Sequence, residues 1–244
     1  NGDTHSCALL KSGEVYCWGL QEEGALGNGV SNFSIQSRPI KLGNISNVIK
    51  IDSGNYHSCV LKKDGSVLCW GRGTSGQLGT ENAQTNPNPT TIKSLEDVID
   101  ISLGSDHSCA LMSNRKIKCW GANTKGQLGV GNFDNQKNPK QVVLLENVKS
   151  LNAKGESTCA ILNNDSVYCW GASLMKQVGN NLDVNQNKPV LAYVFNDPVS
   201  TQNIGGIAGF VINHLSDNIT SESGDNATFT IRLKSKPSSE VSIS

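Results

Sequence analysis

Apolar residues fall in short runs separated by Gly and polar residues, and no run carries a helical period. The clearest set is Val48-Ile49-Lys50-Ile51, His57-Ser58-Cys59-Val60-Leu61 and Val67-Leu68-Cys69-Trp70, with an extended piece after Pro89. These read as four short β-strands within about fifty residues. The same grammar recurs along the chain. Cys stand at 7 and 17, 59 and 69, 109 and 119, 159 and 169. Trp18, Trp70, Trp120 and Trp170 each follow the second Cys, inside Cys-Trp-Gly. Gly27, Gly79, Gly129 and Gly179 recur behind them, then Pro39, Pro89, Pro139 and Pro189. Repeating units of about fifty residues, each with four strands, predict an all-β fold made of β-propeller blades. About four such blades occupy residues 1–200.

The Cys pairs fit that geometry. Lys63-Asp64-Gly65 lies midway between Cys59 and Cys69. A type I turn followed by a left-handed Gly makes a three-residue hairpin loop. That register sets Lys62 against Ser66 and Cys59 directly against Cys69. Lys11-Ser12-Gly13 does the same for Cys7 and Cys17. In the fourth unit Asp165 takes the left-handed place, which Asp tolerates. In the third it is Arg115, at greater cost. Directly opposed Cα atoms lie within disulfide reach. Four hairpin disulfides are therefore expected: Cys7–Cys17, Cys59–Cys69, Cys109–Cys119 and Cys159–Cys169. A zinc reading is weaker, because each blade supplies only two thiolates.

Composition narrows the function classes. The chain has 244 residues, 8 Cys, 25 Gly and a net charge of +0. Charged residues are only 17 %, without the basic footprint of a nucleic-acid binder. The longest apolar run, Gly205 to Ile212, is far shorter than the ~20 residues of a membrane-spanning helix. Paired Cys in such number suit an oxidising compartment rather than the cytosol.

Gly54-x-x-His57-Ser58-Cys59-x-Leu61, then Asp64-Gly65-x-Val67-x-Cys69-Trp70-Gly71, then Gly76-Gln77-Leu78-Gly79 resembles the regulator of chromosome condensation repeat family. The pattern returns at Gly104 to Gly129, and at Gly2 to Gly27 with Ala25 for Gln. The resemblance implies a seven-bladed propeller, of which the sequence holds about four blades, N-terminally truncated. The Cys pair is similar to that of secreted bacterial members. The fourth unit departs: Ser157-Thr158 replaces His-Ser, and Lys176-Gln177-Val178-Gly179 replaces Gly-Gln-Leu-Gly.

Composition changes after Asn196. Residues 196–206 read as a linker. Ala227, Phe229, Ile231 and Leu233 alternate with polar residues, as a half-buried strand does, and Val241 and Ile243 begin another. Ser221-Glu222-Ser223-Gly224, Ala227-Thr228-Phe229-Thr230 and Pro237 before Val241 resemble the opening strands of a Calx-beta-type sandwich. Residues 201–244 are thus expected to be a linker and the C-terminally truncated start of such a domain. Some Calx-beta domains bind calcium through acidic clusters. Only Glu222 and Asp225 stand at that place, so calcium is without support and no cofactor is expected.

No Gly-x-Ser-x-Gly, His-Glu-x-x-His or phosphate-binding Gly loop is present. His5, His57 and His107 share one repeat position, which suits a hydrogen-bonded structural His better than a metal ligand. The Trp suit the blade core. Recognition is expected in the loops 28–38, 80–88, 130–138 and 180–188, which differ most between units; Phe33, Phe133 and the Asn and Gln there could form a shallow face. The expectation is a non-enzymatic extracellular or cell-surface bacterial propeller, or a periplasmic one, binding a protein or glycan. A guanine-nucleotide exchange factor for a small GTPase is the alternative, as in the best-known family members. A secreted enzyme inhibitor is a further one.

Overall fold

The computed structural model describes residues 1–43 and 45–192, with the strands Phe210–Asn213 and Thr230–Leu233. The chain divides into two compact units, Asn1–Tyr193 and Val194–Ser244. The first unit is four antiparallel sheets. Blade one holds β1 (His5–Leu9), β2 (Val15–Leu20) and β3 (Ile35–Lys41). Blade two holds β4 (Val48–Ser53), β5 (His57–Lys62), β6 (Val67–Gly71) and β7 (Asn86–Thr91). Blade three holds β8 (Val98–Leu103), β9 (His107–Met112), β10 (Ile117–Gly121) and β11 (Gln136–Gln141). Blade four holds β12 (Val148–Lys154), β13 (Ser157–Leu162), β14 (Val167–Gly171) and β15 (Gln186–Leu191). Within each blade every strand pairs with its sequence neighbours. In blades two to four the first strands β4, β8 and β12 touch one another in turn, so they are innermost. The described residues contain no α-helix, only a single 3-10 turn at Glu22–Gly24.

The hairpins form as the turn residues require. Lys62 N–H donates to Ser66 O, and Gly65 takes φ +80°. Gly13, Arg115 and Asp165 hold the same left-handed place at φ 83°, 63° and 63°. Because Lys62 and Ser66 form a hydrogen-bonded pair, the alternation puts Cys59 and Cys69 at a non-hydrogen-bonded site. That is the closer of the two kinds of cross-strand site. All four Cys pairs are disulfides across such sites, with Cα atoms 4.1 Å apart.

The outer strands differ from expectation. β7 does not follow Pro89 but contains it, together with Pro87. Its ladder to β6 runs through Cys69↔Thr90 and then Gly71↔Asn86, arching over Pro87 and Pro89. Pro cannot donate to a ladder and is tolerated at an edge, so this strand closes the blade.

The core lies between blades rather than inside one. Leu61, Val67, Leu78 and Ile92 of blade two pack on Ile101, Leu103 and Trp120 of blade three. The same arrangement joins blade one to two around Leu26 and Trp70, and blade three to four around Leu128 and Trp170. Alternate residues of a strand point to opposite faces. Cys59 and Leu61 therefore meet blade three while Val60 meets blade one. Both faces are covered, which is why His57–Lys62 is buried almost throughout.

In the second unit, β16 (Phe210–Asn213) pairs antiparallel with β17 (Thr230–Leu233), with Phe210 opposite Leu233. β17 occupies part of the strand expected over residues 227–234. The Calx-beta-type reading, Glu222, Asp225, Val241 and Ile243 lie outside the described residues.

Candidate functional site

Strand direction sorts the connections. Turns 54–56 and the long loops between third and fourth strands share one end: Arg72 N–H donates to Tyr56 O, Ala122 to Asp106 O and Ala172 to Glu156 O. The tight hairpin turns share the opposite end with the links between blades. The loop-bearing end is sewn across blades by backbone hydrogen bonds. Asp3 N–H donates to Asn55 O, Asn55 to Ser105 O and Ser105 to Gly155 O, at 3.0, 2.9 and 2.7 Å.

Beneath this end runs a buried polar ladder. His5 Nε2 lies 2.8 Å from Ser58 Oγ, His57 Nε2 2.9 Å from Ser108 Oγ and His107 Nε2 2.9 Å from Thr158 Oγ1. Each pair joins one blade to the next. Ser108 Oγ donates to Gln77 O and Thr158 Oγ1 to Gln127 O. Those hydroxyl protons are therefore committed, so His57 and His107 must donate from Nε2. Their Nδ1 atoms, like that of His5, are buried without a partner. Burial pushes His57 and His107 down to about 3 and His5 to about 4. His107 and His5 add to the effect at His57, and the N-terminal ammonium at His5. The three His thus sit in successive interfaces with Nε2 already engaged. Among the described residues no three His, Cys, Asp or Glu side chains gather as a metal site.

The indoles complete the joint. Trp120 Nε1 donates to Gln77 O and Trp170 Nε1 to Gln127 O, each at 2.9 Å, while Trp70 Nε1 reaches Ala25 O. One carbonyl of each Gly-Gln-Leu-Gly turn thus accepts both a hydroxyl and an indole from the following blade. Two close approaches make Gly necessary. A Cβ on Gly54 would lie 2.2 Å from the His57 ring and 2.4 Å from Gly104 O. A Cβ on Gly129, whose φ is +67°, would lie 2.7 Å from the Trp170 indole nitrogen. The Gly-x-x-His and Gly-Gln-Leu-Gly motifs are therefore fasteners between blades. Sequence reasoning expected a hydrogen-bonded structural His. What it missed is the partner, since a hydroxyl about fifty residues away leaves no local signal.

The candidate recognition loops stand at the loop-bearing end, although their last residues already belong to β3, β7, β11 and β15. Phe33 is 80 % exposed and Phe133 46 %. They occupy matching positions in blades one and three, and the loop of blade two between them carries Ala83 at that position. They are thus two separate apolar points rather than one aromatic patch. In blade four Leu182 and Val184 add exposed apolar surface. Arg72 stacks over the Tyr56 ring, 5.9 Å from its centroid, at the same end. Among the described residues no helix is long and apolar enough to cross a membrane.

Comparison with known proteins fits this geometry. The chain is 39 % identical over 79 residues to the probable E3 ubiquitin-protein ligase HERC6 of Homo sapiens, covering 32 % of this chain and 8 % of that protein. It is 40 % identical over 81 residues to the guanine nucleotide exchange factor SRM1 of Saccharomyces cerevisiae, covering 32 % and 17 %. The solved structure of Prp20p from Saccharomyces cerevisiae, studied with its binding to Gsp1p and histones, superposes with a TM-score of 0.69 at 28 % identity. That superposition covers 80 % of this chain and 50 % of that one. Human WBSCR16 shares the fold at a TM-score of 0.72 and 23 % identity, over 82 % and 53 % of the two chains. The chain thus spans about half the length of these solved relatives and a smaller part of the curated ones. The family described as "Regulator of chromosome condensation (RCC1) repeat" matches residues 12–61, 64–111 and 119–161, and a second model with that description matches 48–77 and 98–127. With the blade register, the inter-blade His and Trp contacts and these matches in agreement, the chain belongs to the regulator of chromosome condensation repeat family.

Proposed function

We propose that this chain is part of a non-enzymatic extracellular propeller scaffold, carried by a larger bacterial surface or secreted protein, that binds another protein or a glycan through its loop-bearing end. The observation that carries the reading is the set of four cross-strand disulfides, one in every blade. Such pairs persist in an oxidising compartment and are rare in the cytosol. Rigid blades presenting exposed Phe33 and Phe133 on variable loops suit recognition rather than chemistry. The yeast relative studied with Gsp1p and histones shows that a propeller of this family can bind proteins. Residues 201–244 are assigned to the start of a Calx-beta-like domain on the motif resemblance alone.

The test is capture by the oxidised 244-residue chain, cross-linked to bacterial surface proteins and probed on a glycan array. The double variant Phe33→Ser/Phe133→Ser should lower capture about 10-fold, a loss of roughly 1.4 kcal/mol. Capture that is equal for both chains removes the loop-end assignment. The exchange-factor reading is favoured by the 40 % identity to the yeast exchange factor. Accelerated nucleotide release from a loaded small GTPase would put it first.

A further inference from the structure

One joint between blades departs from the repeat. Two residues after the repeat Gly, Gly29, Gly131 and Asn181 all take a left-handed backbone, at φ 81°, 90° and 61°. From there Gly29 N–H donates to Pro87 O and Gly131 N–H to Asn187 O, tying the loop to the outer strand of the next blade. Blade two carries Glu81 at this position. A Glu pays for a left-handed φ where Gly does not, and the left-handed residue is instead Ala83, at φ 44°. Among the described residues Glu81 has no backbone hydrogen bond to Lys137, the counterpart partner in β11. The loop leaves the neighbouring blade, and a groove of about 480 Å3 opens between the outer edges of blades two and three.

The lining side chains are polar or charged, with their carbon and their N and O atoms exposed in similar measure. Besides the Gly79 backbone the lining is made of Thr, Asn, Ser, Glu and Lys side chains. Among the described residues Glu81, Thr91, Lys93, Ser94 and Asn138 make no side-chain hydrogen bond and no ion pair. A carboxylate, an ammonium, two hydroxyls and a carboxamide thus stand unengaged around one groove whose volume is in the small-molecule range. No large apolar side chain lines it, which disfavours an acyl or aromatic ligand. One positive and one negative group together disfavour a polyanion. Sugar hydroxyls donate and accept at once, and carboxylates, carboxamides and hydroxyls match them on both counts.

We propose that this groove is a binding site for a short neutral or zwitterionic saccharide. The site lies on the outer edge between β7 and β11 and takes Thr80, Glu81 and Asn82 from the candidate loop 80–88, so it deepens the glycan side of the proposed function, on which it rests, without depending on Phe33 or Phe133. Without an aromatic platform, affinity should be weak, with Kd on the order of 1 mM.

The experiment is titration of the isotopically labelled 244-residue chain, followed by backbone amide shifts. The probes are N,N'-diacetylchitobiose, lactose and maltose, with free glycine as a non-sugar zwitterion. Saturable shifts of Thr80, Asn82, Ser94 and Asn138 by at least one disaccharide are expected. Glu81→Gly restores the residue found at positions 29 and 131, and should close the groove. It should weaken binding at least about 10-fold while leaving the blade-core amides in place. Lys93→Ala, a second variant outside the turn, should also weaken it. No shift with any disaccharide overturns the proposal. Shifts with glycine alone overturn the saccharide assignment, and unchanged binding by both variants overturns the groove.

Discussion

Blade three and blade four have the same hairpin, the same disulfide and nearly the same register, yet they differ in what they offer a neighbour. Blade three both receives and gives. Ser108 and Trp120 reach back to Gln77 O, while His107 and Gln127 O reach forward to blade four. Among the described residues blade four only receives. Thr158 and Trp170 are in place, but Ser157 stands where the His would be and Lys176 where the Gly would be. Its apolar side chains Ile161, Leu174, Met175 and Leu182 are exposed, with no following blade among the described residues to cover them. The repeat motif is therefore directional. One half of it addresses the preceding blade and the other half the following one, and blade four lacks the forward His yet still folds as a four-stranded sheet.

The sharpest way to break this distinction is acid. His5, His57 and His107 are neutral in the folded chain, with pKa values lowered to about 4, 3 and 3. In the unfolded chain they titrate near 6.5. The unfolded state therefore binds more protons below that value. Stability is full above about pH 6.5 and falls as pH drops toward the folded values. At pH 5 each His should cost about 2 kcal/mol. Urea midpoints at pH 7 and pH 5 measure the sum. His107→Ser, which gives blade three the residue of blade four, should flatten the pH dependence by one proton. A pH slope unchanged by that substitution would sink the ladder as the acid-sensitive element.

The receiving half is tested next. Trp120→Ala empties a fully buried site between blades and leaves Gln77 O with the Ser108 hydroxyl alone, so a loss of about 3–5 kcal/mol is expected. Trp18 of blade one is only half-buried, with no earlier blade among the described residues to cover it. Trp18→Ala should cost on the order of 1–2 kcal/mol. Equal losses in thermal or urea unfolding would mean that Trp serves its own blade, not the joint.

Most of the blade was readable from the chain because its determinants are local. Lys63-Asp64-Gly65 fixes the hairpin, the hairpin fixes the register, and the register places Cys59 on Cys69. The joints were not readable in the same way. His57 and Ser108 are brought together by stacking of whole sheets, and nothing near either residue names the other. The outer strand was misplaced because Pro usually reads as a strand breaker, whereas an edge position accommodates Pro87 and Pro89. The candidate loops were found by their variability, but separation of Phe33 from Phe133 by a whole blade follows only from the assembled order.

A smaller difference separates the two disulfides. Cys109 and Cys119 are fully buried under blade four, whereas Cys159 is half-buried beside a buried Cys169. Removing either bridge by a Cys→Ala pair should cost about 2–3 kcal/mol, since the closed loops are equally short. Access should still differ. Graded dithiothreitol followed by alkylation and peptide mass mapping should open Cys159–Cys169 before Cys109–Cys119. The reverse order would show that blade four is covered in solution.

The smallest expected effect lies in the hairpins of blades two and three. Gly65 and Arg115 hold the same left-handed place, at φ 80° and 63°. Their backbone roles match as well: Gly65 O accepts from Val98 N–H, and Arg115 O from Val148 N–H. The two turns thus differ mainly in the Cβ. An L side chain in this region costs roughly 1–2 kcal/mol, partly offset by the extra unfolded-state freedom of Gly. Arg115→Gly should therefore stabilise by about 0.5–1 kcal/mol, and Gly65→Arg should destabilise by a similar amount. Thermal unfolding of the two variants reads both signs. If Arg115→Gly lowers the midpoint instead, the Arg115 side chain supports its turn through a contact that outweighs the backbone cost, and the hairpin of blade three is not a poorer copy of that of blade two but a differently stabilised one.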